Sequence, residues 1–177
     1  GVNKDNSARK YIDNNCEKVD KKNIMPGQLI LFKYLNPKNK EDLEYDDASP
    51  CTIFFGIFNS SWGKRVLGFN IHYYPPKMRY QIMNKIFTLY KPIYLKYFNS
   101  PNLKEIDAFD YKFLISELEK AKLTFGVREY IPKLMGNLKI IPTNVWKVAV
   151  FTEGWFKKST RTQIMRYWRE WKEKNVN

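Results

Sequence analysis

The fold is decided by residues 51–74, which read CTIFFGIFNSSWGKRVLGFNIHYY. Two apolar, β-prone runs, residues 52–58 and 65–74, are separated there by a cluster of turn-forming residues. A third run of the same kind, residues 28–34, follows the turn signal Met-Pro-Gly at residues 25–27. Three short strands so close in sequence predict an antiparallel meander that curls into a small SH3-like barrel or half-barrel.

Helical spacing of apolar residues begins after these strands. It predicts a first helix over residues 77–89, an interruption at Pro92, and a resumed helix over residues 93–98. A second helix is predicted over residues 110–123. A third, basic helix is predicted over about residues 159–174, where Thr and Gln stand at capping-box spacing.

The rest of the chain completes an α+β prediction. Residues 126–136 are predicted to be irregular, and residues 138–141 and 145–151 are predicted to form two further strands. Residues 1–23 are polar and charged, which predicts an arm that is flexible when alone. Residues 24–177 are then one α+β domain, a small antiparallel sheet flanked by three helices.

The charge balance is strongly basic. The chain has 31 Lys and Arg against 18 Asp and Glu, a formal net charge of +13. Such a field attracts phosphates and favours a polyanionic partner. A composition rich in Lys and Asn because of AT-rich codons explains the same excess, and the sequence leaves both explanations open. The sequence also predicts no signal peptide and no membrane span, and its two separated cysteines suit a reducing compartment.

Two segments concentrate the cations. Residues 77–97 hold five Lys or Arg and no acid, and residues 155–177 hold seven together with Glu170 and Glu173. The second segment also interleaves aromatic residues, which can stack on unpaired bases at a DNA end. The alternatives are an ordinary amphipathic helix with its tryptophans in the core, or docking onto a protein partner. Because no base-reading motif is present, any DNA binding is predicted to be directed by shape or by the DNA end.

The sequence offers little catalytic chemistry. A lone histidine, His72, and two separated cysteines are too few ligands for a zinc site, and His72 is predicted to be structural. The acidic loop of residues 41–47 is predicted to be solvated, with docking on a basic neighbour or metal binding as alternatives. No glycine-rich phosphate loop precedes a helix. We therefore predict no catalytic residue, no metal site, no cofactor and no enzyme activity.

Several blocks of the sequence carry a family resemblance. They are SARK at residues 7–10, PGQLILFKY at 26–34, NPKNK at 36–40, LEYDDASP at 43–50, LGFNIHYYPP at 67–76, VWKVAVF at 145–151 and FKKS at 156–159. Together they resemble the DNA end protector proteins of T-even-type tailed phages (myophages), and the block at residues 68–76 is the most specific. Glu44 and Asp46 depart from the family's usual Pro and Tyr in the acidic loop.

The resemblance implies a virion protein made in the host cytoplasm. Such a protein binds the end of the packaged double-stranded DNA and shields it from exonucleases, without turnover. Its partners would be the DNA end and other phage structural proteins, with no membrane and no small-molecule substrate. The alternatives are a structural adaptor of the phage neck, tail or baseplate and, less favoured, a metal-dependent nuclease using the acidic loop. The predicted phosphate contacts are Lys77, Arg79, Lys85, Lys157, Lys158, Arg161, Arg166, Arg169 and Lys172.

Overall fold

The computed structural model describes residues 7–34, 48–98, 106–153 and 158–175. This part of the chain contains a five-stranded sheet. Its strands are β1 (Leu29–Tyr34), β2 (Cys51–Ser60), β3 (Gly63–Asn70), β4 (Val127–Tyr130) and β5 (Met135–Ile141). They lie in the order β4-β3-β2-β1-β5, and every neighbouring pair is antiparallel. The predicted meander is thereby confirmed as the centre of the sheet.

The described residues also contain five α-helices rather than three. They are α1 (Ser7–Asn15), α2 (Pro76–Phe98), α3 (Ala108–Lys120), α4 (Trp146–Ala149) and α5 (Lys158–Asn175). Short 3₁₀ turns connect several of them to the sheet, including Ile71–Tyr73 after β3 and Thr143–Val145 before α4. The predicted α+β class is confirmed.

Both faces of the sheet are buried, and the two faces belong to different cores. In β1, Leu29 and Leu31 join the large core that the helices cover, whereas Ile30 and Phe32 join a smaller core on the other face. This alternation is what a strand with two buried faces requires, because successive side chains point to opposite sides. It also explains why the strand sequences read as nearly continuous apolar runs.

The sheet curls around the smaller core. Three strand spacings separate β1 from β4, which is about 14 Å in a flat sheet. The rings of Phe32 and Tyr34 in β1 nevertheless lie 5.1 Å from the ring of Tyr130 in β4, and the Ile131 amide donates a hydrogen bond of 2.9 Å to the Tyr34 hydroxyl. Strands at opposite sides of the meander therefore meet, as in a half-barrel.

The prediction of a strand over residues 145–151 is wrong. This segment forms the end of a 3₁₀ turn followed by α4. Its apolar side chains Val145, Ala149 and Val150 are all buried, at a spacing that fits one helical face. The Trp146 indole N–H also donates to the Ile141 carbonyl at 3.0 Å, which turns the chain away from the sheet. Short apolar runs do not distinguish a buried helix from a buried strand.

Two further predictions about chain breaks are also wrong. Residues 126–136 are not irregular, because they contain β4 and the first residues of β5. Pro92 does not interrupt α2, which continues to Phe98. Pro92 is exposed, so the carbonyl that loses its helical donor can be hydrated. Buried neighbours on the opposite face, Tyr90 and Ile93, hold the helix on the core.

The prediction of a flexible arm is wrong for residues 7–23. Ala8, Ile12 and Cys16 stand four residues apart and are buried as one stripe of α1 and its C-terminal end. Lys139 of β5 donates to the Asp13 carboxylate at 2.9 Å, and the Val19 amide donates to the Leu138 carbonyl at 2.9 Å. These residues therefore pack as part of the domain. Residues 1–6 lie outside the described part of the chain.

Candidate nucleic-acid interface

One face of α2 is cationic and free of acids. Lys77, Lys85 and Lys91 are exposed, while the opposite face places Ile82 and Ile86 in the core. Lys91 lies 14 residues after Lys77, a distance of about 21 Å along the helix axis at 1.5 Å per residue. Since α2 contains no Asp or Glu, its own residues do not neutralise these three cations. Lys91 belongs to the predicted basic run at residues 77–97 but is not among the phosphate contacts predicted from the sequence.

The last cation of α2, Lys96, is exposed but is paired with an acidic side chain of α3. The Lys96 ammonium donates to the Asp110 carboxylate of α3 at 2.9 Å, and the Asp110 side chain is almost completely buried. This hydrogen bond raises the pKa of Lys96. This ion pair joins α2 to α3, so the main role of Lys96 is to hold the two helices together.

A second cationic surface lies on α5. Arg166, Arg169 and Lys172 are exposed, as predicted from the sequence, and Ile164 on the other side of the helix is buried in the large core. Glu170 and Glu173 are exposed on the same helix, so α5 is a mixed surface with an excess of cations. Of the other predicted contacts, Lys157 and the side chains of Lys158 and Arg161 lie outside the described residues.

Arg79 does not belong to the cationic face of α2. It is 5% exposed, and its guanidinium donates to three backbone carbonyls. The hydrogen bonds are 2.7 Å to Tyr74, 2.6 Å to Val150 and 2.6 Å to Thr152. A guanidinium presents several donors in a fixed fork, so one side chain can satisfy all three acceptors. The expectation that Arg79 contacts phosphate is therefore corrected, because this charge faces the protein interior.

His72 also contacts the segment after α4 to which Arg79 is hydrogen-bonded. Its Nε2 lies 2.9 Å from the Thr152 hydroxyl oxygen, and that hydroxyl donates to the Ala149 carbonyl at 2.7 Å. Because the hydroxyl proton is already used, the geometry assigns the proton between the two side chains to His72 Nε2. The His72 backbone amide donates to the Asn70 side chain at 2.9 Å. We call Asn70, His72, Arg79 and Thr152 the junction, since they tie the end of β3 and the start of α2 to the segment after α4.

Comparison with known proteins identifies the family of this chain. A family model described as phage T4 terminal DNA protecting protein matches residues 2–169. The chain belongs to this family. Searches of curated proteins and of solved structures found no significant match.

The match to the terminal DNA protecting protein family covers α2 and all of α5 up to Arg169. Both cationic surfaces therefore lie within it, apart from Lys172. The junction lies wholly inside the match. Two of its members, Asn70 and His72, belong to the block at residues 68–76, and His72 contacts Thr152 after α4. The resemblance stated from the sequence is confirmed.

No metal-binding cluster of three or more His, Cys, Asp or Glu side chains occurs within the described ranges. Cys16 and Cys51 are both buried and are not joined in a disulfide, and burial raises the pKa of the Cys16 thiol. The acidic loop of residues 41–47 lies outside the described residues. Among the helices that the structure describes, none is long and apolar enough to cross a membrane.

Proposed function

We propose that this protein binds the end of linear double-stranded phage DNA and shields it from exonucleases without catalysing a reaction. The observation that carries the proposal is the acid-free cationic face of α2, in a chain of the terminal DNA protecting protein family. Protection by occlusion needs affinity and correct placement, and it needs no nucleophile, metal or general base.

The binding energy would come mainly from phosphate contacts. Lys77, Lys85 and Lys91 are exposed along one helix face of a chain with net charge +13. Cations arranged in this way neutralise successive phosphates and release counterions, which gives affinity without reading base sequence. The exposed cations of α5 would add a second set of contacts. The protein would act within the virion, beside other phage structural proteins.

We expect the protein to slow exonuclease digestion of a linear blunt-ended duplex, and a variant with Lys77→Gln, Lys85→Gln and Lys91→Gln to protect it poorly. Each lost phosphate contact should reduce the slope of log affinity against log salt by about 1. The three substitutions should therefore flatten the slope by about 3 units and weaken binding at least ten-fold at low salt. Fluorescence anisotropy across a salt series measures both quantities.

The matched control removes the same charge elsewhere. Lys112, Lys120 and Lys147 are exposed lysines outside α2 and α5, and changing all three to Gln lowers the net charge equally. This control should keep most of the affinity. Equal losses in the two triple variants would mean that net charge alone attracts the DNA. Equal digestion rates with and without the unaltered protein would contradict the proposed function itself.

A second candidate function is that of a structural adaptor between phage proteins. One observation favours it: Phe109 and Phe113 are 76% and 41% exposed, one helical turn apart on α3. Exposed aromatic residues on one helix face are typical anchors of protein interfaces.

Phe109→Ser combined with Phe113→Ser tests the adaptor function. We expect this variant to fold normally and to protect DNA ends like the unaltered protein, but to be incorporated into particles several-fold less. Immunoblots of purified particles, normalised to a capsid protein, measure incorporation. Normal incorporation of the variant would exclude this face of α3 as an assembly contact.

A further inference from the structure

The hairpin of β2 and β3 projects beyond the rest of the sheet. β1 pairs with β2 only from Cys51 to Ile53, and β4 pairs with β3 only from Val66 onward. Among the described strands, residues 58–65 therefore pair only with each other, through three residue pairs that end at Ser60 and Gly63. At about 3.3 Å per residue this part of the hairpin extends the sheet by about 10 Å.

The turn at the end of this hairpin has a defined conformation. The Ser60 hydroxyl accepts a hydrogen bond of 3.1 Å from the Trp62 amide and donates one of 2.8 Å to the Gly63 carbonyl. Gly63 has φ of +109°, which glycine adopts without the steric cost that a side chain brings. These hydrogen bonds therefore hold the Trp62 backbone in one turn conformation at the end of the hairpin.

Trp62 is 85% exposed, more than any other large hydrophobic side chain described. The residues around it are also polar or cationic: residues 59–65 read NSSWGKR and contain no acid. Lys64 is exposed beside it, and the Arg65 guanidinium is held at the strand by a 2.9 Å hydrogen bond to the Lys64 carbonyl. An exposed ring followed closely in the chain by two cations is a combination that can bind bases by stacking and phosphates by charge.

This combination suits one part of a duplex in particular. Inside a duplex both faces of each base pair are covered by neighbouring pairs, whereas the last pair leaves one face open. We infer that Trp62 stacks on the terminal base pair of the DNA, with Lys64 and Arg65 against the adjoining phosphates. This inference rests on the proposed function, and it names the contact that would distinguish an end from the interior of the duplex.

The test uses two duplexes of the same sequence, one with open blunt ends and one with both ends closed by hairpin loops. The open duplex carries 2-aminopurine in its terminal pair, whose fluorescence reports stacking. We expect the unaltered protein to quench this fluorophore and to prefer the open duplex. Trp62→Ala should lose the quenching and weaken binding to the open duplex on the order of ten-fold, within the range for one stacked base. Binding to the closed duplex should be unchanged.

Two further variants complete the design. Trp62→Phe keeps a ring and should restore part of the preference for open ends. Phe151→Ala removes another exposed aromatic side chain and should leave both affinities unchanged. If the unaltered protein binds open and closed duplexes equally, the proposed function fails. If it prefers open ends and Trp62→Ala keeps that preference and the quenching, only the role of Trp62 is overturned. A Trp62→Ala protein that protects ends normally but is lost from particles would assign the hairpin to a protein partner instead.

Discussion

Replacing Arg79 by methionine is expected to lower the free energy of unfolding by about 4 kcal/mol. The methionine retains most of the apolar stem but cannot donate to the carbonyls of Tyr74, Val150 and Thr152, which accept hydrogen bonds from Arg79. Buried acceptors that lose a charged donor retain the full cost of their desolvation. For a chain of this size the melting temperature should fall by roughly 12 °C, which calorimetry and urea unfolding both measure.

Lys77→Met is the matched control for Arg79→Met. Lys77 lies on the same helix but is exposed, so its replacement should change stability by less than about 0.5 kcal/mol. Arg79→Lys keeps the charge but loses the fork of donors, and it should fall between the two. An Arg79→Met protein with normal stability and weakened DNA affinity would instead make Arg79 a phosphate contact, contrary to its burial.

The different roles of the α2 cations could have been read from the sequence. Arg79 stands three, four and seven residues before Ile82, Met83 and Ile86, which are all buried. This spacing places it on the apolar stripe of the helix. Lys77 falls on the opposite face. Charges counted along the chain make the basic run look like one surface, whereas their projection onto the helix separates Arg79 from Lys77.

The first two strands of the sheet could be predicted from the sequence. A strand with two buried faces gives an apolar run bounded by turn residues, and the runs at residues 28–34 and 52–58 became β1 and β2. The predicted strand over residues 65–74 was too long, because β3 ends at Asn70. The Asn70 side chain accepts the His72 amide and starts a 3₁₀ turn there, a local hydrogen bond that competes with the sheet.

Tertiary contacts determine the structure of the segments whose sequence patterns do not predict it. Helix α1 is mostly polar and has few apolar residues, and it is held by packing and by the ion pair between Lys139 and Asp13. A short helix of this composition is marginal alone, so its own residues predict an arm. The projecting Trp62 was likewise visible only as a turn residue, because its exposure depends on where the neighbouring strands stop pairing.

The block at residues 68–76 is the most specific part of the family resemblance, and two structural features constrain its residues. One is the junction, and the other is the lack of space for a side chain at Gly68. Gly68 lies in β3 opposite Phe54 of β2. A Cβ atom placed on Gly68 would meet the Thr52 methyl group and would approach the Ile53 carbonyl oxygen to 2.9 Å. Carbon atoms do not approach backbone so closely without a shift, and both strands are packed between two cores. We therefore expect Gly68→Ala to cost about 3 kcal/mol of stability, measured as the change in urea midpoint at constant slope.

Gly136→Ala provides the matched control for this prediction. Gly136 lies in β5 of the same sheet, and a Cβ atom there would come no nearer than 4.0 Å to the Lys33 carbonyl oxygen. It should therefore be tolerated to within about 1 kcal/mol. Adding Thr52→Ser to Gly68→Ala removes the methyl group but leaves the Ile53 carbonyl in place, so it should recover only part of the loss. Equal effects of Gly68→Ala and Gly136→Ala would contradict close backbone approach as the reason for the glycine at position 68, because chain entropy alone favours alanine at both positions.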